Sequence, residues 1–224
     1  MVMNLFSSFD PSSSLFYSLN WVSGIYSMVI LPMVYWFIPS RMNMMIFKFL
    51  SELSLNFKDS LGKNMNYKNL ILYLSLLLLI FLNNLLGMFS YIFVATSHLV
   101  FGLSFAFVLW GSYMLNGWFN NSGHMFIHLV PQGLKNILMF FMVLVESLSN
   151  IIRPITLSVR LVANMVAGHL LMILISSSGS SVSWILLILM LLSQSILILL
   201  EISVSFIQAY VFSVLSLLYS VEDN

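Results

Sequence analysis

Five side chains in the second half of this chain carry chemistry that a packed membrane helix does not require: Glu146, Arg153, Arg160, His169 and Glu201. Arginine keeps its proton under all working conditions, so it supplies a fixed positive field and cannot relay a proton. Glutamate and histidine can load and release protons. A fixed cation flanked by such groups describes a proton path with an electrostatic block in its middle. Each Arg or acid at mid-bilayer costs about 2.5–3.5 kcal/mol on the insertion scale, so four of them left in lipid cost on the order of 10 kcal/mol. They must therefore face a partner, one another or water.

The spacing sorts them onto faces. Glu146, Arg153 and Arg160 are seven residues apart, so each falls about 20° from the last around a helix. Asn150 and Asn164 lie on the same stripe, with the small residues Ala167 and Gly168 nearby. His169 follows Arg160 by nine residues, which is about 180° round the helix. Along an ideal helix Glu146 lies ~21 Å before Arg160, and His169 ~13 Å beyond it. In the next apolar run Gln194, Glu201 and Gln208 repeat the seven-residue spacing, with Ser205 between. Asn150, Asn164 and Gln194 have a simpler reading as interhelical glue. Arg153 likewise has one, as the partner of Glu146 or Asn150.

Composition sets the elements that must hold these groups. Of 224 residues 60% are hydrophobic, 7% charged and 15% aromatic, and the mean hydropathy is +1.02. An ordinary soluble domain is about a quarter charged, so a water-soluble globule is excluded, and the aromatic content excludes a disordered chain. A net charge of +1 gives no electrostatic case for nucleic acid. There is no cysteine, which excludes disulfides, iron–sulfur clusters and thiol catalysis. Met1 to Pro11 has neither a basic n-region nor an Arg-rich amphipathic stretch, so no cleaved signal or transit peptide is expected.

The expected fold is an all-α integral membrane protein forming one domain over residues 1–224. Lipid leaves open sheet edges unsatisfied, and the apolar runs lack the alternation of a barrel. Five stretches are candidates for membrane-embedded helices: 19–38 with Pro32 inside, 70–93, 99–118, 135–175 and 182–218. Between the first two, 41–68 holds Arg41, Lys48, Lys58, Lys63 and Lys68 on a helical apolar rhythm, which predicts an amphipathic surface helix. Basic loops stay on the side of synthesis, so the N-terminus is expected outside and the C-terminus inside. The last two stretches measure ~60 Å and ~55 Å as single helices, about twice the ~30 Å of hydrocarbon. They must lean strongly or break, with Pro154 the obvious break point. The Ser-rich run Ser176 to Ser181 joins them as a hairpin.

Other residues carry weaker signals. No phosphate-binding or dinucleotide glycine pattern occurs, and no cofactor is expected. His124 and His128 are four apart in a polar loop, Asn116 to Gly133, with no third ligand nearby, so an interfacial loop is expected there and no metal site. His98 reads as a helix-start or interfacial residue, and the 16 Met residues as packing material.

The run SNIIRPITLSVRLVANMVAGHLL, Ser149 to Leu171, and the run IQAYVFSVLSLLY, Ile207 to Tyr219, closely resemble subunit a of the F-type ATP synthases. HLVPQG at His128 to Gly133 and MNLFSSFDPS at Met3 to Ser12 look like the mitochondrially encoded animal form, with an arthropod-like residue bias. The resemblance implies a proton-translocating stator subunit, non-catalytic by itself, that packs two leaning helices against a rotating c-ring. It implies that Arg160 is the essential fixed charge facing the ring carboxylate. It implies that Glu201 and His169 line the inlet, that Glu146 belongs to the matrix exit, and that Asn164 and Gln208 are supporting polar groups. The implied partners are the c-ring, the other Fo stator subunits and membrane lipid, with protons as cargo. The implied location is the mitochondrial inner membrane, N-terminus in the intermembrane space and C-terminus in the matrix. Some relatives carry a second histidine four residues after the first; here that position is Ile173, so a two-histidine metal site is not expected. Two other classes fit the residues less well. A proton-coupled antiporter should show paired broken helices in two related halves, and none is visible. A non-transporting assembly or anchor subunit predicts that the intramembrane charges can be replaced by apolar residues with little loss of proton flux.

Overall fold

A computed structural model describes residues 5–12, 19–31, 37–61, 68–89, 92–130, 136–179 and 183–222. These residues form α1 (Ser23–Ile30), α2 (Arg41–Leu61), α3 (Lys68–Gly87), α4 (Leu99–Asn120), α5 (Ser122–Leu129), α6 (Asn136–Ser178) and α7 (Trp184–Glu222). Single 3-10 turns lie at Leu5–Phe9, Leu19–Val22 and Ala95–Ser97. Among the described residues there is no strand. Four helices, α3, α4, α6 and α7, are long and apolar enough to cross a membrane. The expected first span is described only as a 3-10 turn and the eight residues of α1; Pro32 and the rest of 32–36 lie outside the described residues.

Each helix is held by a stripe of apolar residues at helical spacing. On α3, Leu70, Tyr73, Leu77 and Ile80 are buried at intervals of three and four. Leu70, Tyr73 and Leu77 join Leu53 and Phe57 of α2 and Leu217 of α7 in one core cluster. Ile80 joins Ala106 of α4, Leu157 and Leu161 of α6, and Ala209 and Phe212 of α7 in a second. As α3 ascends, its α7 partners descend, so the two helices pack antiparallel. Helix α4 meets α6 where a glycine permits it: a Cβ on Gly102 would lie 3.4 Å from the Ser158 carbonyl oxygen. Helix α2 is amphipathic as expected, with Leu53 and Phe57 buried and Arg41, Lys48 and Lys58 exposed.

Three boundaries differ from expectation. Helix α6 continues through Pro154, which is buried; neighbouring helices hold the chain helical there despite the missing N–H. It also continues through Ser176, Ser177 and Ser178, where a turn was expected. Each hydroxyl donates to the carbonyl three residues back, at 2.9 Å, so this exposed serine run has its polar groups satisfied inside the helix. The segment from Asn116 to Gly133, expected as a loop, is helical from Ser122 to Leu129. Phe126 sets its edge against Trp118, ring centroids 4.9 Å apart, which seats α5 on α4.

At 43 and 39 residues, α6 and α7 span about 65 and 58 Å at 1.5 Å per residue. Neither fits upright in ~30 Å of hydrocarbon.

Candidate functional site

Arg160 lies on an exposed part of α6. Among the described residues no carboxylate lies within 4.0 Å of it; the one ion pair there joins Arg153 and Glu146. Its direction follows from its neighbours. Gly168 is the α6 residue against which Glu201 of α7 packs, and Ser158 is the one against which α4 packs. Arg160 stands about 80° around the helix from Gly168 and about 160° from Ser158, so it borders α7 and turns away from α4. Small or branched residues flank it: Val159, Ala163 and Ala167 are all exposed. On α7, nothing from Trp184 to Leu200 is buried. The guanidinium therefore sits at the edge of a broad apolar face.

Glu201 approaches α6 closely. A Cβ on Gly168 would overlap its carboxyl oxygen, and would lie 3.0 Å from its Cδ and Cγ. Only the missing side chain of Gly168 gives the carboxylate its seat, next in sequence to His169. The His169 ring meets Phe9 edge-on, centroids 6.4 Å apart at 81°, so the Leu5–Phe9 turn roofs it. Asn164 is half-buried one turn beyond Arg160, and Gln208 is half-buried two turns beyond Glu201. The fold thus unites Glu201 with the Gly168–His169 turn and keeps Arg160 about 12 Å away along α6.

Glu146 and Arg153 belong to the other end of α6. Their nearest N···O distance is 3.9 Å, with about a third of each side chain accessible. That is an ion pair without a hydrogen bond, of the kind worth 0–1 kcal/mol at most in wet surroundings. The Arg153 guanidinium also lies over the Tyr219 ring, 5.4 Å from its centroid. Both acidic and basic groups open into a cavity of about 300 Å³ walled by Trp110, Tyr113, Trp118 and Asn150. Tyr113 in turn shares a 2.8 Å hydroxyl–hydroxyl hydrogen bond with the buried Tyr73 of α3. The simpler reading of Arg153, as the partner of Glu146, is the one the structure bears out.

Nine buried side-chain polar atoms have no hydrogen-bond partner among the described residues: those of Asn83, Asn84, Thr96, His98 Nε2, His169 Nε2 and both Glu201 oxygens. Each such group costs about 1–3 kcal/mol if left dry. Nine would rival the whole folding free energy of a domain, about 5–15 kcal/mol. The charge pattern of the sequence does not point to Asn83, Asn84 or Thr96. The signal for the first two is the Asn83–Asn84 pair inside the Leu-rich α3 stretch. A second cavity of about 570 Å³ between α1, α3 and α4 is different in kind. The hydroxyls of Ser27, Ser75 and Ser104 on its wall all donate to carbonyls of their own helices, so it offers an apolar surface and no chemistry. The side chains of His124 and His128, with Lys63 and Lys135, lie outside the described residues.

Comparison with known proteins adds a family. The ATP synthase A chain family matches residues 15–221. ATP synthase subunit a of Drosophila melanogaster is 50% identical over 224 residues, covering all of both chains. That of Locusta migratoria is 48% identical over 223 residues, covering 99% of each. That of Aedes aegypti is 50% identical over 226 residues, again covering both chains completely.

Proposed function

The chain belongs to the ATP synthase A chain family, and from that premise we propose how its two long helices carry protons. It is a multi-pass membrane subunit of ATP synthase, working in proton translocation by the Fo part. Three groups along α6 divide the task. Glu201 and His169 receive protons from one compartment. Arg160 meets the rotor carboxylate after it has given up its proton. Glu146, in its cavity with Arg153, releases protons to the other compartment. Asn164 and Gln208 supply hydrogen-bonding groups beside this route. The subunit makes and breaks no covalent bond of ATP itself.

The observation that carries the reading is the condition of Arg160. It is exposed, lacks a carboxylate partner among the described residues and borders an apolar face. A permanent cation in that position attracts a deprotonated carboxylate on a passing rotor helix, and it refuses a proton that would otherwise leak directly between the two vestibules. The c-ring is the partner that fits, since it brings a carboxylate on an apolar, close-packed surface. A proton crossing ~100 mV releases ~2.3 kcal/mol, and the block at Arg160 converts that drop into rotation. The basic residues of α2 support placing that end of the bundle on the matrix side of the mitochondrial inner membrane. The Glu146 cavity is then the matrix exit, and His169 faces the intermembrane space. With the 19–38 stretch as a fifth crossing, the N-terminus lies in the intermembrane space and the C-terminus in the matrix.

Arg160→Lys tests this. It keeps a charge but replaces the planar fork with a group that can lose its proton. Reconstituted ATP synthase carrying it is expected to lose ATP-driven proton pumping, measured by quenching of a pH-sensitive dye in vesicles. Pumping at the wild-type rate would refute the role.

A further inference from the structure

A proton carrier must face its partner, and little within α6 decides how the His169 ring faces. The last side-chain torsion of a histidine is only loosely restrained. Glu201 packs against Gly168, the preceding residue, and glycine has no side chain to hold the ring on that flank. A working imidazole is usually fixed by a hydrogen bond at one of its nitrogens. His169 Nε2 is buried and has no such partner among the described residues. At that end of the ring, packing must set the orientation.

Phe9 makes the contact that can set it, with ring centroids 6.4 Å apart and planes at 81°. Edge-to-face pairs prefer a defined angle, because the positive rim of one ring meets the negative face of the other. The turn that carries Phe9 is braced from outside α6. The Asp10 N–H donates to the Ser7 carbonyl at 3.4 Å. The Asp10 carboxylate accepts from the N–H and the hydroxyl of Ser12, at 2.9 and 2.7 Å. Pro11 fixes φ between them. Nine residues on, the Asn20 amide donates to the Pro11 carbonyl at 2.9 Å, and Asn20 belongs to the Leu19–Val22 turn that packs on α1. Phe6, in the same turn as Phe9, is 67% exposed, whereas Phe9 is half-buried. Resting on the proton-path reading above, we propose that Phe9 is a positioning residue for proton entry: its ring holds the His169 imidazole in the orientation that serves Glu201.

The test uses vesicles carrying the assembled ATP synthase. ATP-driven proton pumping is measured per complex, with the amount of complex read from a native gel. Phe9→Ala is expected to slow pumping about tenfold, inside the range of up to about 100-fold that a ~1 Å misplacement costs. Phe9→Leu fills the space without an aromatic rim and should also slow pumping, by about threefold on the same scale. Phe9→Tyr keeps the ring and should restore most of the rate. Phe6→Ala is the control and should pump as wild type does. His169→Gln should lower the rate by itself, and adding Phe9→Ala to it should bring little further loss, since residues that act through one another are not additive. The inference is overturned if Phe9→Ala or Phe9→Leu pumps at the wild-type rate, if Phe6→Ala is as slow as Phe9→Ala, or if Phe9→Ala costs as much in the His169→Gln background as alone. His169→Gln also separates the two levels. If it slows pumping while Phe9→Ala does not, the role of Phe9 alone falls; if it pumps normally, the reading beneath it falls as well.

Discussion

Replacing Gly168 by alanine separates a role in proton transfer from a role in folding. An alanine Cβ at that position overlaps the Glu201 carboxyl oxygen and lies 3.0 Å from Cδ and Cγ. The obstructed atoms are the far end of a flexible side chain, so Glu201 can swing aside at a cost of about 0.5–1.5 kcal/mol for an off-rotamer conformation. Alanine in a helix interior is favoured over glycine by about 0.8–1.0 kcal/mol. The two terms nearly cancel, so assembly should be unaffected. Transfer does not escape so easily. Proton exchange needs heavy atoms within about 2.6–3.2 Å, directly or through one water, and a misplacement of ~1 Å in a positioned group costs up to about 100-fold. Gly168→Ala is therefore expected to leave the amount of assembled complex on a native gel unchanged. Passive proton conduction through Fo should fall between tenfold and 100-fold. Gly111→Ala is the control, because nothing lies within 4 Å of a Cβ there, and it should match wild type in both measurements. Wild-type conduction in Gly168→Ala would refute the claim that the carboxylate works from that seat.

Three further outcomes follow from other contacts. Tyr219→Leu removes the ring under Arg153, a contact worth about 0.5–1 kcal/mol; ATP-driven pumping should slow about two- to fivefold, while Tyr219→Phe, which keeps the ring, should pump normally. Tyr73→Phe deletes the 2.8 Å hydroxyl bond to Tyr113 and should destabilise the α3–α4 contact by about 0.5–1.5 kcal/mol, read as a lower thermal midpoint with proton flux per complex unchanged. Asp10 is held below the usual carboxylate range by the Ser12 backbone N–H and then its hydroxyl. A depressed folded-state pKa stabilises the turn above the ordinary value of ~3.9 and loses that effect as pH falls through the lowered one. Protection of the Ser12 amide against hydrogen exchange, taken as the ratio to Asp10→Ala at the same pH, should thus hold steady from pH 8 to 5 and disappear only in stronger acid.

Much of this was readable before any coordinates. Hydropathy and charge content alone demand membrane helices, because lipid allows few other ways to satisfy a backbone. The seven-residue spacing of Glu146, Arg153 and Arg160 put them on one stripe, and nine residues sent His169 to the opposite side; both are consequences of helix pitch, which is local. Helix ends were less readable. Ser176 to Ser178 stay helical with each hydroxyl bonded back to its own helix, and Ser122 to Leu129 become helical where Phe126 meets Trp118, a contact that local propensity does not record.

What no spacing rule reaches is which face meets which. That Glu201 docks on Gly168, that Phe9 covers His169, that Asn84 is sealed from solvent and that Arg160 is not, all depend on contacts between residues far apart in the chain. Period and composition record how a helix is divided into faces. The crossing of two helices is decided by packing at particular small residues, Gly102 and Gly168 here, and a missing side chain leaves no mark in the sequence until its neighbour is known.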